Sequence, residues 1–162
     1  MAAVAAPTVD PVPGTVRTMS ALDGSPDLTD DELRALLERS RRIAVVGMST
    51  DPRKAASRIP ATLIQHGFDV VPVHPTAQEI QGRTAYPTLE DVPGHIDLVD
   101  VFRPPAEAAG VAASAVTVGA NAIWLQLGIA SAPARRIAEA SGLVYVEDLC
   151  IGVEVQRLGV RH

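Results

Sequence analysis

The stretch Arg41-Arg42-Ile43-Ala44-Val45-Val46-Gly47-Met48-Ser49-Thr50-Asp51-Pro52-Arg53-Lys54-Ala55-Ala56-Ser57 decides the fold. Its first half is a short, continuous apolar run rich in β-branched residues and closed by Gly47, as a strand buried on both faces reads. Its second half is polar and loop-like. A helix is predicted from Ser57 to His66, with Ser57 as N-cap and Pro60 in the first turn, where a missing N–H does little harm. Ile59 and Leu63 share a face of that helix, and Gly67 suits the residue after its end.

The same grammar continues outward. Residues 68–73 (FDVVPV), 96–102 (IDLVDVF), 121–126 (NAIWLQ) and 143–148 (LVYVED) are four further strand candidates. Pro105 fits the first position of a helix that stops at Gly119, and Ser131-Ala132-Pro133 opens another that stops at Gly142. Residues 74–95 form a long connection with one helical turn near Thr88, and the chain from Cys150 to Leu158 forms a last helical turn or two. Before the first strand, Thr29 and Glu32 form a capping box ahead of Leu33, Leu36 and Leu37, in a helix ending near Ser40. Residues 1–27 read as a disordered Ala/Pro-rich tail, and 28–162 as one domain. Strands alternating with helices at about 25-residue spacing indicate an α/β fold. The expectation is a single Rossmann-like domain with a mainly parallel five-stranded sheet and helices on both faces. Ligands in such sheets sit at the carboxyl ends of the strands, near the point where strand order reverses. The loops of interest therefore begin at Gly47, His74, Arg103, Gln126 and Asp148.

Composition narrows the function classes. The net charge of −5 disfavours a general nucleic-acid surface. The lone Cys150 allows no intramolecular disulfide and fits a reducing compartment. No apolar run approaches the roughly 20 residues that span a bilayer, and the N-terminal residues lack the features of a secretion signal. A cytoplasmic protein is expected. His66, His74, His95 and His162 have no metal-ligand spacing, so no metal site is expected. No residue stands out as catalytic.

The loop after Gly47 is the first candidate site. Gly47 permits close backbone approach, a helix N-terminus attracts phosphate, Ser49 and Ser57 offer hydroxyls, and Arg53, Lys54 and Arg58 add positive charge. Taken alone, the segment fits a phosphate site and a plain polar turn equally well. It is not GxGxxG, and the second strand ends Val73-His74-Pro75 with no carboxylate for a ribose diol. Both points count against a dinucleotide site, and the loop is more basic than a plain pyrophosphate demands, which favours a phosphorylated ribose over a free diol. His74 reads equally as a ligand contact and as a turn residue. Phe102 and Arg103 end the third strand, the former more typical of core and the latter suited to a phosphate. Gln126 and Gly128 are better candidates than Trp124, which reads as core. Asp100, inside an apolar strand, needs a hydrogen-bonding partner. Cys150 fits either a small buried residue or a thiol at the site's edge.

In order, VVGMSTDPRKAAS, VVPVHPTAQEIQGRTAYPTLEDVP, VDVFRPP, GANAIWLQLGI and VEDLCIGVE resemble the small bacterial CoA-binding proteins, and through them the CoA-binding domain of the succinyl-CoA synthetase α subunit. The resemblance covers residues 40–155. It implies a Rossmann-like fold and coenzyme A as ligand. Gly47, Ser49 and Lys54 would hold phosphates, and His74-Pro75 stands where the family has Asn-Pro. Residues 101–103 would line the adenosine, Gln126 and Gly128 would face the pantetheine arm, and Cys150 would lie near the thiol end. The chain has no room for the further domains of a ligase, so a stand-alone, non-catalytic CoA or acyl-CoA binding protein is expected: a carrier, sensor or accessory subunit. An NAD(P)-binding oxidoreductase or redox sensor on the same fold is the alternative, and a thiol enzyme using Cys150 with a base such as His74 is a third reading. Self-association and an unidentified protein partner are both compatible with the chain.

Overall fold

A computed structural model describes residues 28–162; the tail predicted over residues 1–27 lies outside the described residues. Helix α1 (Asp30–Arg39) precedes β1 (Arg42–Val46), α2 (Ala55–Gln65) and β2 (Asp69–Val73). A short antiparallel pair, β3 (Glu79–Ile80) and β4 (Arg83–Thr84), and a 3-10 turn (Leu89–Asp91) lead to β5 (Leu98–Val101). Then come α3 (Pro105–Thr117), β6 (Ala122–Leu125), α4 (Ala132–Ala140), β7 (Val144–Val146) and α5 (Ile151–Leu158).

The five main strands run parallel in the order β2-β1-β5-β6-β7. The chain moves one way from β1 to β2 and the other way from β5 to β7. Crossovers of one hand then place α2 on one face and the crossover helices α3 and α4 on the other. The side-chain partition shows this. Ile43, Val45, Val70, Leu98, Trp124 and Val146 pack with α1, α2 and α5, whereas Ala44, Val71, Val99, Val101, Ile123 and Leu125 pack with α3 and α4. Strand order reverses between β1 and β5, and their carboxyl ends define the crevice where such folds hold ligands.

Local signals account for most of the boundaries. Thr29 Oγ1 accepts from Glu32 N–H at 3.2 Å while Glu32 Oε2 accepts from Thr29 N–H at 2.7 Å, completing the capping box. Pro105 opens α3, and Ser131 caps α4 through Ala134 N–H. Two readings need correction. Helix α2 begins at Ala55, with Lys54 at the cap position and no side-chain cap, so Ser57 lies inside its first turn and Pro60 lies deeper in the helix than expected. The 74–95 connection holds the β3–β4 pair as well as the turn after Thr88. The last helix spans 8 residues, about the two turns expected there.

Pro60 has a structural use. It has no N–H to offer the Ala56 carbonyl four residues earlier, and that carbonyl accepts from Ser49 N–H at 3.0 Å instead. The helix thereby holds the loop that follows β1.

Gly67 turns the chain from α2 into β2 with φ +89°. A Cβ there would lie 2.1 Å from the His162 carbonyl oxygen. His162 is fixed by its N–H to His66 O (2.9 Å), by its ring against Phe68, and by its Nε2 near Leu37 O (3.1 Å). Gly82 has a similar φ of +73° but open space around a Cβ. Left-handed backbone alone costs an L-residue roughly 1–2 kcal/mol. Denaturant unfolding should therefore show Gly67→Ala clearly more destabilised than Gly82→Ala, which isolates the backbone cost. Equal losses would show that the His162 contact carries no energy.

Candidate functional site

Gly47 ties three strand ends together. Its N–H donates to Val73 O at 3.2 Å, and Phe102 N–H donates to Val46 O at 2.8 Å. A Cβ on Gly47 would stand 2.5 Å from Phe102 O and 2.8 Å from Arg103 Cδ, and φ is +85°. No side chain fits there, which is why the loop can fold back over the ends of β1 and β5.

Beyond Gly47 the loop winds into α2. Ser49 Oγ accepts from Asp51 N–H, and Lys54 N–H donates to Asp51 O. Arg53 is bound to Asp51 through two nitrogens, each at 3.0 Å, and these bonds hold the Asp51 carboxyl below its usual range. Arg53 is thus largely committed within the loop. Lys54 and Arg58 are exposed and form no ion pair among the described residues. Since no side chain caps α2, its first amides remain open, with the positive end of the helix dipole behind them.

A groove of about 420 Å³ runs beside this helix start, lined by Ser49, Thr50, Ser57, Arg58, Glu79 and Gln81 among others. Its far wall is the β3–β4 pair. Gln81, at φ +52°, donates from Nε2 to Ser57 O (2.9 Å) and Ser57 Oγ (3.2 Å), which docks the pair onto α2. Sequence reasoning missed Gln81 and Glu79 because strands of two residues carry almost no periodicity. A second groove of about 430 Å³ lies on the other side of β1, lined by Val46, Leu89, Arg103, Glu107, Val111 and Ser114 among others. Arg103 there is paired with Glu107 at 2.8 Å.

His74 closes the turn after β2. Its Nδ1 accepts from Thr76 N–H (3.2 Å) and Ala77 N–H (2.9 Å), which leaves the proton on Nε2. The ring therefore does what a short polar side chain does in a turn, with Pro75 exposed beside it. Phe102 is half-buried against the core on the α2/α5 face.

The loops after β6 and β7 lock to each other. Gly128 N–H donates to Asp148 Oδ1 at 2.7 Å, and Asp148 N–H donates to Ile129 O at 3.1 Å, with Asp148 at φ +55°. Glu147 accepts from Tyr145 OH, Ser131 N–H and Arg135. Burial works against ionising Glu147, but these donors hold its pKa below the usual range. Burial and the Glu147 carboxylate together push the Tyr145 phenol well up. Cys150 is a half-buried free thiol at the cap position of α5.

Gln126 is placed differently from its expected outward role. It is only 4% exposed, and its amide is committed inside the protein. Nε2 donates to Asp100 Oδ1 at 2.6 Å, and Oε1 accepts from Ile151 N–H at 3.3 Å. Asp100 is fully buried, and burial raises its pKa to about 7 against the opposing hydrogen bonds from Gln126 and Val101. Of the expected residues, Gly47, Ser49, Arg53, Lys54 and Ser57 converge on one loop and helix start. Phe102 and Arg103 adjoin it through Gly47, whereas Gly128 and Cys150 belong to the rim formed by the later loops.

The family model of the CoA binding domain matches residues 41–156. The chain belongs to this family. The CoA-binding domain is 34% identical over 122 residues to the protein YneT of Bacillus subtilis (strain 168), covering 75% of this chain and 90% of that one. It is 37% identical over 65 residues to the α subunit of an ADP-forming acetate–CoA ligase II of Pyrococcus furiosus, covering 40% of this chain but 14% of the subunit. Among solved structures, a hypothetical protein from Pyrococcus horikoshii OT3 superposes with a TM-score of 0.81 at 34% identity, covering 86% of this chain and 99% of that one. The Rossmann-like fold is shared.

The raised Asp100 pKa has a stability consequence. Between the unfolded value of 3.8 and about 7 the folded protein holds a proton that the unfolded chain has lost. Stability contributed by the acid is therefore full below the lower value and falls as pH rises to the upper one. At about 1.4 kcal/mol per pH unit the loss is on the order of 4 kcal/mol. Asp100→Asn should remove this fall, so that unfolding free energies of variant and wild type diverge steadily from pH 4 to pH 7. Parallel profiles would contradict the assignment.

Proposed function

We propose that this protein binds coenzyme A, with the phosphates on the loop of residues 47–57 and the open start of α2, and that it does so as a stand-alone, non-catalytic module. The observation that carries the reading is the uncapped α2 N-terminus with Lys54 and Arg58, unpaired among the described residues, beside the Ser49–Ser57 groove, in a chain of the CoA-binding domain family. Helix-start amides suit a pyrophosphate, and the Lys54 and Arg58 cations suit the additional 3′-phosphate. The end of β2 offers His74 where a free ribose diol would call for a carboxylate. Glu79 across the groove favours phosphates seated toward Ser49 and Arg58.

Gly47 lets the ligand's backbone partners approach, and Arg103 and Phe102 adjoin the same crevice. Gly128 and Cys150 mark the rim toward which the pantetheine arm would run. Gln126 acts beneath that rim rather than on it. The match to the ligase α subunit spans a small part of that subunit, whereas YneT is covered over nine-tenths of its length. A module that carries, senses or presents CoA or an acyl-CoA fits this pattern. No helix among the described residues is long and apolar enough to cross a membrane, and a cytoplasmic setting suits both the ligand and the free thiol.

Calorimetric titration with CoA, dephospho-CoA and NAD tests the reading. CoA should bind more tightly than dephospho-CoA, and Lys54→Ala or Arg58→Ala should each weaken CoA by about tenfold while affecting dephospho-CoA less. A charge-assisted phosphate bond of about 1.5 kcal/mol gives that factor. Tight NAD binding with none for CoA would replace the proposal with the nicotinamide alternative.

A further inference from the structure

The polar groups buried on the α2/α5 face form a chain that the proposed phosphate contacts leave unused. Asp100 lies between Val45 and Trp124 in the sheet register. Gln126 bridges from its Oδ1 to the N–H of Ile151, the first residue of α5. One residue before Cys150, the Leu149 carbonyl accepts from Trp124 Nε1 at 2.8 Å. Side chains of β6 and the residue after it therefore hold the chain on both sides of Cys150. Asp100 Oδ2, by contrast, is buried with no hydrogen-bond partner among the described residues.

The Gln126 amide can face Asp100 with either its NH2 or its oxygen. A carboxylate only accepts hydrogen bonds, so Gln126 must offer Asp100 its NH2 and turn its oxygen to Ile151. A carboxylic acid carries a donor of its own, and the acceptor within this chain is Gln126 Oε1. The acid thus competes with Ile151 N–H for one oxygen.

We propose that Asp100 is a positioning residue that, through Gln126, anchors the start of α5 and the Cys150 rim when ionised and releases them when protonated. β1 and β6 face Asp100 with Val45 and Trp124. On α2 the charged residue is the exposed Arg58, on α5 Glu154 is paired with Arg157 at 2.6 Å, and beyond β5 Arg103 is paired with Glu107. Burial places the switch near neutrality.

The rim's response stands without any ligand, while its effect on binding rests on the CoA reading. Amide NMR of the ligand-free protein from pH 5.5 to 8.5 should show the Ile151 N–H and the Gln126 side-chain amide titrating together near pH 7. Asp100→Asn, which keeps a donor at all pH values, should abolish that titration and hold Ile151 at its low-pH position. Gln126→Met should uncouple Ile151. In calorimetry with CoA, the ratio of the Asp100→Asn Kd to the wild-type Kd should be near one at pH 5.5 and rise to about fivefold at pH 8.5; taking the ratio removes ionisation of CoA itself. An Ile151 amide that ignores pH, or that titrates unchanged in Asp100→Asn, overturns the inference. A normal Ile151 titration in a protein that binds no CoA supports the latch and overturns the proposed function instead.

Discussion

The absence of a side chain at residue 47 is the constraint on which the candidate crevice depends. A Cβ there would stand 2.5 Å from Phe102 O while the Gly47 N–H bonds to Val73 O, so the ends of β2, β1 and β5 meet at one point. A Cβ would push β1 away from β5 at the place where strand order reverses. That would widen the crevice at its base and detach the loop that leads into α2. The loop is held from the other side by the Ala56 carbonyl that Pro60 leaves open. A glycine and a proline 13 positions apart in sequence thus fix the same segment, one by allowing approach and the other by freeing an acceptor.

Charge is distributed in keeping with this frame. Arg53 and Arg103 are committed to Asp51 and Glu107, whereas Lys54 and Arg58 are left unpaired among the described residues. Exposed ion pairs contribute little stability, so the committed pairs matter mainly because they shape the loop and the α3 groove. The unpaired cations lie at the positive end of α2, where a phosphate would be attracted by helix and side chain together. On the opposite rim, Asp148 and Glu147 fasten the β6 and β7 loops to each other, and the Asp100–Gln126 pair fastens α5 to the sheet.

Much of the architecture was legible in the sequence because its signals are local. The apolar runs of β1 and β5, the capping box at Thr29, Pro105 at a helix start and Gly67, Gly119 and Gly142 after helix ends each act within a few residues. The start of α2 was not legible, since Lys54 gives no side-chain cap and Ser57 looks like a better one. The β3–β4 pair was hidden by its length. Gln126 was read as facing the ligand, yet strand alternation continues past Leu125, which packs toward α3 and α4, and turns residue 126 to the other face. Its partnership with Asp100 depends on the pairing of β5 with β6, information that resides in register and not in either segment alone.

The most direct test of the account is a map of backbone amide shifts on addition of CoA to the isotopically labelled protein. Binding as described should perturb residues 47–57, with the amides of Ala55 and Ala56 among the largest changes, together with Arg103 and Gly128. Perturbations confined to the α3 groove, or a response of residues 47–57 to NAD and none to CoA, would contradict it.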